Sequence, residues 1–196
     1  MDLYAILGLL SGIIVASSAV PYVYSILAKK TTPHPITWIL WAFMGGLSLF
    51  FYWDLGARDT IWIAVVNFVG PCIAATLSLK YWDWRDGFNG FEYACLVFSI
   101  ISIVIWIVSR DPVLALTFNI IADALAALPT LTKAYRQPET ESTWSWGVAA
   151  VGAVLSIMAI GEWSYGIAVL PLYLFALYTT LTLLSLRKNA VVLQKI

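Results

Sequence analysis

Charged side chains are scarce in this sequence. There are 11 Lys and Arg and 11 Asp and Glu among 196 residues, 11% in all, where a soluble domain carries roughly 25%. That scarcity excludes an ordinary soluble domain, and a formal net charge of zero offers no basic surface to hold nucleic acid. Histidine occurs once, as His34 between Pro33 and Pro35, and is read as a loop residue. The two cysteines, Cys72 and Cys95, fall in apolar runs at different depths, which predicts free structural thiols and argues against a disulfide or a metal site. No nucleophile–base or metal-ligand constellation occurs, so the chain is expected to be no enzyme and to use no cofactor. Low-complexity tails and long linkers are absent as well.

What the chain has in abundance is apolar surface: 61% of its residues are hydrophobic and its mean hydropathy is +0.86. A hydrocarbon core about 30 Å thick is crossed by roughly 20 helical residues. Apolar stretches of about that length lie at 3–28, 36–53, 60–79, 90–108, 113–132, 143–160 and 165–186. Lipid offers no partner to an open strand edge, so all are expected to be helices. The chain is therefore read as an all-α membrane protein with seven transmembrane helices. The breaks between spans are short, which makes consecutive helices antiparallel neighbours. The first span has Asp2 before it and no basic flank, so it is not read as a cleaved signal peptide.

Orientation follows from Lys and Arg, which resist translocation. With the N-terminus outside, the inner face receives Lys29, Lys30, Lys80, Arg85, Lys133, Arg136, Arg187, Lys188 and Lys195, and only Arg58 and Arg110 lie outside. The C-terminus is then cytoplasmic, and in a prokaryote the membrane is the plasma (inner) membrane. Most tryptophans fall at span ends, Trp38, Trp82, Trp84, Trp144 and Trp146 inside and Trp53, Trp62, Trp106 and Trp163 outside, as an aromatic belt would place them. Trp41 lies about one turn deeper and is a candidate ligand wall.

The chain also repeats itself. At a constant offset, Pro21 meets Pro129, Thr32 meets Thr140, Trp38 meets Trp146, and Leu47-Ser48 meets Leu155-Ser156. After a four-residue slip, Ile63-Ala64-Val65 meets Ile167-Ala168-Val169 and Thr76-Leu77 meets Thr180-Leu181. Helices 1 to 3 and 5 to 7 thus read as copies of one unit. An odd-numbered unit would invert its copy, and helix 4 corrects this as a spacer. The expected organisation is 3+1+3 with parallel triple-helix repeats: 1–82 the first repeat, 83–110 the linker helix, 111–196 the second repeat. Folds of this kind place substrate near the midplane between repeats.

The stretch from Pro129 through Lys133, Arg136, Pro138, Glu139, Thr140 and Glu141, with Pro21, Lys29-Lys30-Thr31-Thr32 and Trp38 as its counterpart, resembles the PQ-loop and SWEET superfamily of seven-helix transporters. Pro21-Tyr22 and Pro129-Thr130 stand where that family has Pro-Gln. The family's paired asparagines in helices 3 and 7 find Asn67 here, whose repeat mate is Pro171. The resemblance implies a transporter of a small solute; the KDEL receptor, which shares the architecture, supplies the alternative of a receptor or sorting protein without flux. A retinal protein is disfavoured because the seventh span has no Lys.

One acid stands out. Asp123 lies in the middle of an apolar run, and an Asp at the centre of a bilayer costs about 2.5–3.5 kcal/mol, so such residues mark cavities, partners or proton paths. Measured from the outer span ends at 1.5 Å per residue, Asn67 lies at roughly 10 Å, Asn119 at roughly 9 Å and Asp123 at roughly 15 Å. Asn119 and Asp123 are one helical turn apart on one face. Asn67, Asn119, Asp123 and Trp41 are therefore the candidate substrate-binding residues, and Asp123 the candidate proton carrier. No Lys or Arg lies at its depth in another span. It is either protonated or facing water and substrate, or else it makes a structural bond, for instance to Ser17, Ser18 or Asn67. Pro21, Pro71, Pro129 and Pro171 interrupt helices 1, 3, 5 and 7 and are candidate hinges. Gly45, Gly46, Gly147 and Gly152 are expected at close helix contacts. Glu139 and Glu141 beside Lys133 and Arg136 form either an inner gate or a solvated loop. The expected partners are a small-molecule solute and the lipid bilayer, with a homo-oligomer left open.

Overall fold

The computed structural model describes residues 2–28, 35–81 and 90–187. Among them the regular elements are seven α-helices: α1 (Leu3–Leu27), α2 (Pro35–Asp54), α3 (Ile61–Ser78), α4 (Gly90–Ser109), α5 (Pro112–Arg136), α6 (Thr143–Met158) and α7 (Tyr165–Leu186). Short 3-10 turns at Leu79–Tyr81 and Pro138–Thr140 follow α3 and α5. Lys29 to His34, Trp82, Trp84, Arg85, Lys188 and Lys195, which enter the orientation, belt and repeat arguments, lie outside the described residues.

Six of the helices, all but α6, are long and apolar enough to cross a bilayer, as in a multi-pass membrane protein. The remaining helix ends earlier than the stretch expected over 143–160: α6 has 16 residues, Thr143–Met158. Ala159 closes its last turn through a bond to the Leu155 carbonyl at 2.9 Å. Ala159 and Ile160 are buried beyond the helix end, so their apolar character reports packing and not helix. In the opposite sense, α5 runs past residue 132 to Arg136 and takes Lys133 and Arg136 into its last turn, where cations suit the negative end of the helix dipole.

The helix starts have local causes. Asp2 accepts a bond from the Ala5 N–H at 2.9 Å, and Asp111 accepts from Val113 at 2.9 Å and Leu114 at 3.2 Å, with Pro112 behind it at the first helical position. Ser142 and Ser164 cap α6 and α7 through Ser145 and Ile167. Each satisfies amide groups that the first turn leaves open. Pro21, Pro71, Pro129 and Pro171 lie within α1, α3, α5 and α7, and each helix continues through its proline.

Packing follows a repeated scheme. In the first triplet α1 and α2 both pack on α3; in the second, α5 and α6 both pack on α7. Across the triplets α1 lies on α6 and α2 on α5, while α4 packs against α5 and α2. Contacts fix the directions. Gly8 lies against Asp59 and Gly12 against Trp62, so α1 and α3 run the same way. Thr117 meets Tyr165, and Asp123 meets Tyr173, so α5 and α7 do too. Gly152 faces Val15 and Gly161 faces Tyr4, which makes α1 and α6 antiparallel.

Gly45 and Gly152, on α2 and α6, permit close crossings. A Cβ on Gly152 would stand 2.5 Å from Val15 Cγ2 and 3.1 Å from the Ser11 carbonyl oxygen. On Gly45 it would stand 2.3 Å from the Asn67 carbonyl oxygen. In a bilayer, helices associate through this kind of backbone approach because lipid is as apolar as the side chains it would replace. Gly46 lies against the Phe68 ring. Gly147, expected at such a crossing, meets nothing nearer than Thr182 Cγ2 at 3.8 Å, an ordinary contact.

Candidate functional site

Tyr173 on α7 donates its hydroxyl to Asp123 Oδ2 at 2.6 Å. The pair joins α5 to α7 about 12 Å from the start of α7 at 1.5 Å per residue, too deep for an interfacial tyrosine. Asp123 remains only partly buried. Among the described residues no Lys or Arg pairs with it; its partner is the phenol. The expected candidates for a structural bond take other partners: Ser17 and Ser18 donate to the carbonyls of Ile14 and Val15 on their own helix.

Asn67 takes part differently. Its amide donates to the Ile63 carbonyl at 2.8 Å, which leaves Oδ1 to accept the Tyr178 hydroxyl at 2.9 Å. A second phenol of α7 thus ties α7 to α3. Tyr178 stacks on Trp146 with ring centroids 6.1 Å apart. Trp146 in turn donates its indole N–H to Glu141 Oε2 at 3.1 Å, and Glu141 Oε1 pairs with Lys133 at 3.0 Å. A line of contacts therefore runs from the ion pair at the C-terminal end of α5 through Trp146 and Tyr178 to Asn67. Of the acidic residues expected near a gate, Glu141 joins this line and Glu139 is exposed.

Asn119 is fully buried. It shares a face of α5 with Asp123 but reaches α2, donating to the Met44 carbonyl at 2.9 Å and to Ser48 Oγ at 2.8 Å. Because a carbonyl only accepts, the first bond fixes the amide orientation, and Oδ1 is left buried without a hydrogen-bond partner. Trp41 does not meet the other three. Its ring packs edge-on to Trp38, centroids 5.1 Å apart, and borders a separate cavity between α2, α4 and α5.

The tryptophans expected in the belt divide by burial. Trp53, Trp62, Trp144 and Trp163 are exposed. Trp38, Trp106 and Trp146 are partly buried and each donates a bond to another side chain: Trp38 to the Tyr22 hydroxyl at 3.1 Å, Trp106 to the exposed Asp54 at 3.1 Å, Trp146 to Glu141. Tyr173 and Tyr178 were absent from the sequence candidates. Their signal is depth: a phenol well inside a span needs an internal acceptor. Set beside known proteins, the chain matches no family model, no curated protein and no solved structure.

Proposed function

We propose that the chain is an alternating-access transporter of a small polar solute, a sugar, an amino acid or a vitamin-like metabolite. In this reading seven spans, α6 included, form parallel triplets in 3+1+3 order with α4 as spacer, N-terminus outside and C-terminus cytoplasmic. The pairing scheme supports it: α1 on α6 and α2 on α5 exchange under the repeat register, and the first helix of each triplet runs the same way. The resemblance to the PQ-loop and SWEET superfamily points in the same direction.

The observation that carries the reading is the Asp123–Tyr173 pair. An acid at bilayer depth costs about 2.5–3.5 kcal/mol. One hydrogen bond to a charged group returns about 1.5–3 kcal/mol, so a purely structural pair gains little over apolar residues. Its value lies in what a carboxylate at this depth does: it binds polar solute or carries a proton between the two sides. Asn67 and Asn119 add amide groups at similar depth. Trp146, held by Glu141, backs Tyr178 on the inner side, so separating Lys133 from Glu141 would free the inner wall. Pro21, Pro71, Pro129 and Pro171 are the points where α1, α3, α5 and α7 lack a backbone bond and can flex.

Flux into proteoliposomes tests this, screening sugars, amino acids and vitamins with and without a pH gradient. The reading expects saturable uptake of one class, accelerated by the gradient, and loss of that acceleration in Asp123→Asn. Uptake that ignores the substitution removes Asp123 from the mechanism. Saturable binding with no flux favours a receptor.

A further inference from the structure

Pro171 has no amide hydrogen, so the carbonyl four residues before it in α7, that of Ile167, receives nothing from its usual helical donor. A side chain of α2 takes that place. Tyr52 donates its hydroxyl to the Ile167 carbonyl oxygen at 2.7 Å, and the same phenol oxygen lies 2.6 Å from the Thr60 hydroxyl. A carbonyl only accepts, so the single phenolic proton goes to Ile167 and the Thr60 hydroxyl donates to Tyr52. Tyr52 is fully buried, Thr60 is 2% exposed and Pro171 is buried as well. Thr60 is also the N-cap of α3, where a threonine hydroxyl ordinarily accepts from the first turn, yet it makes no capping bond. Its hydroxyl serves Tyr52 instead.

This bond sits beside a hinge. Before Pro171, α7 is tied to α2 by Tyr52 and to α5 by Tyr165, whose hydroxyl lies 3.2 Å from that of Thr117. After Pro171, Tyr173 and Tyr178 donate to Asp123 and Asn67. We propose that Tyr52 is the latch of the α7 hinge and a positioning residue for the site. It holds the carbonyl that Pro171 frees, and so sets the direction from which Tyr173, two residues further on, presents its phenol to Asp123. The latch follows from these contacts; its part in solute movement rests on the transporter reading, in which α7 flexes at Pro171 and the Tyr52 bond must release.

Tyr52→Phe keeps the ring and removes the donor. The full chain in nanodiscs is labelled with carbonyl-13C isoleucine and 15N alanine, so that carbonyl–amide correlations arise from the Ile-Ala pairs beginning at Ile63, Ile73, Ile121 and Ile167. The peak lost in Ile167→Val is that of Ile167. Tyr52→Phe is expected to move this resonance upfield, as loss of a hydrogen bond does, and to leave the other three in place. Amide hydrogen exchange in the segment of α7 before Pro171 should quicken about tenfold, the effect of losing one bond of ordinary strength, with exchange in α4 and α6 unchanged. In Pro171→Ala the amide gained at position 171 takes the Ile167 carbonyl, so adding Tyr52→Phe changes exchange less than twofold. An unmoved Ile167 resonance, or exchange quickened equally along the whole chain, overturns the latch. Where Tyr52→Phe does not fold, the latch predicts that adding Pro171→Ala restores folding, and failure to restore it overturns the proposal. Neither readout needs solute, so a lack of flux in proteoliposomes counts against the transporter reading alone.

Discussion

Replacing Tyr173 by Phe removes one oxygen and leaves the Asp123 carboxylate without its donor. The 2.6 Å separation lies in the range of about 2.5–2.7 Å for a hydroxyl bonded to an ionised oxygen. Such bonds contribute about 1.5–3 kcal/mol, whereas interhelical bonds in a bilayer average about 0.6 kcal/mol and reach about 1.7 kcal/mol. The second figure is held down because side chains in the unfolded, membrane-inserted chain find other partners, an escape open to Asp123 as well. The charge-assisted value and the bilayer ceiling overlap near 1.5 kcal/mol. Tyr173→Phe is therefore expected to cost about 2 kcal/mol, the lost bond plus part of the carboxylate's desolvation. Asp123→Asn should cost less, since its amide oxygen still accepts from the phenol. The double replacement Asp123→Leu with Tyr173→Phe leaves no polar orphan and should cost less than the sum of its parts, with a coupling of about 1–2 kcal/mol. Steric trapping or mixed-micelle unfolding of the four members of that cycle measures the coupling. A value below about 0.3 kcal/mol, the usual error of additivity, would refute the argument that the phenol compensates the acid.

Other substitutions probe the packing and the line of contacts from Lys133 to Asn67. Gly152→Leu should destabilise the fold by about 1–3 kcal/mol through overpacking against Val15 and the α1 backbone, while Gly147→Ala, with only Thr182 Cγ2 at 3.8 Å, should stay within about 0.5 kcal/mol; both are read by thermal unfolding in one detergent. Lys133→Ala should cost about 1 kcal/mol or less, since the Lys133 side chain is 51% exposed although that of Glu141 is 11% exposed. Glu141→Ala should cost more, because it also leaves the Trp146 indole without its acceptor, and a red-shifted tryptophan emission would mark the change. Tyr178→Phe removes the donor to Asn67 and should lower stability by about 1 kcal/mol, read by thermal unfolding in the same detergent.

The positions of the long helices were readable because lipid imposes one rule, continuous apolar helix between polar breaks. Asp123 was readable for the converse reason. Tyr173 and Tyr178 were not, since a tyrosine in an apolar run looks like a belt residue until its depth is counted. Trp146 misled similarly: it sits near a helix start as a belt residue would, yet Glu141 and Tyr178 turn it inward. The end of α6 was misplaced because Ala159 and Ile160 are as apolar outside the helix as within it. Depth singles out Trp41 in the sequence, but only the position of α4, which no spacing encodes, decides that it borders the cavity lined by Glu92 and not the Asp123 pair.

The central claim is that Asp123 borders an aqueous path through the protein, and cysteine accessibility tests it most directly. Asp123→Cys in a Cys72→Ser, Cys95→Ser chain, reconstituted in sealed vesicles, is exposed to a membrane-impermeant cationic methanethiosulfonate from each side in turn. The account predicts modification from at least one side, slowed by transported solute. Reaction with a lipid-soluble maleimide alone, and none with the charged reagent from either side, would contradict it.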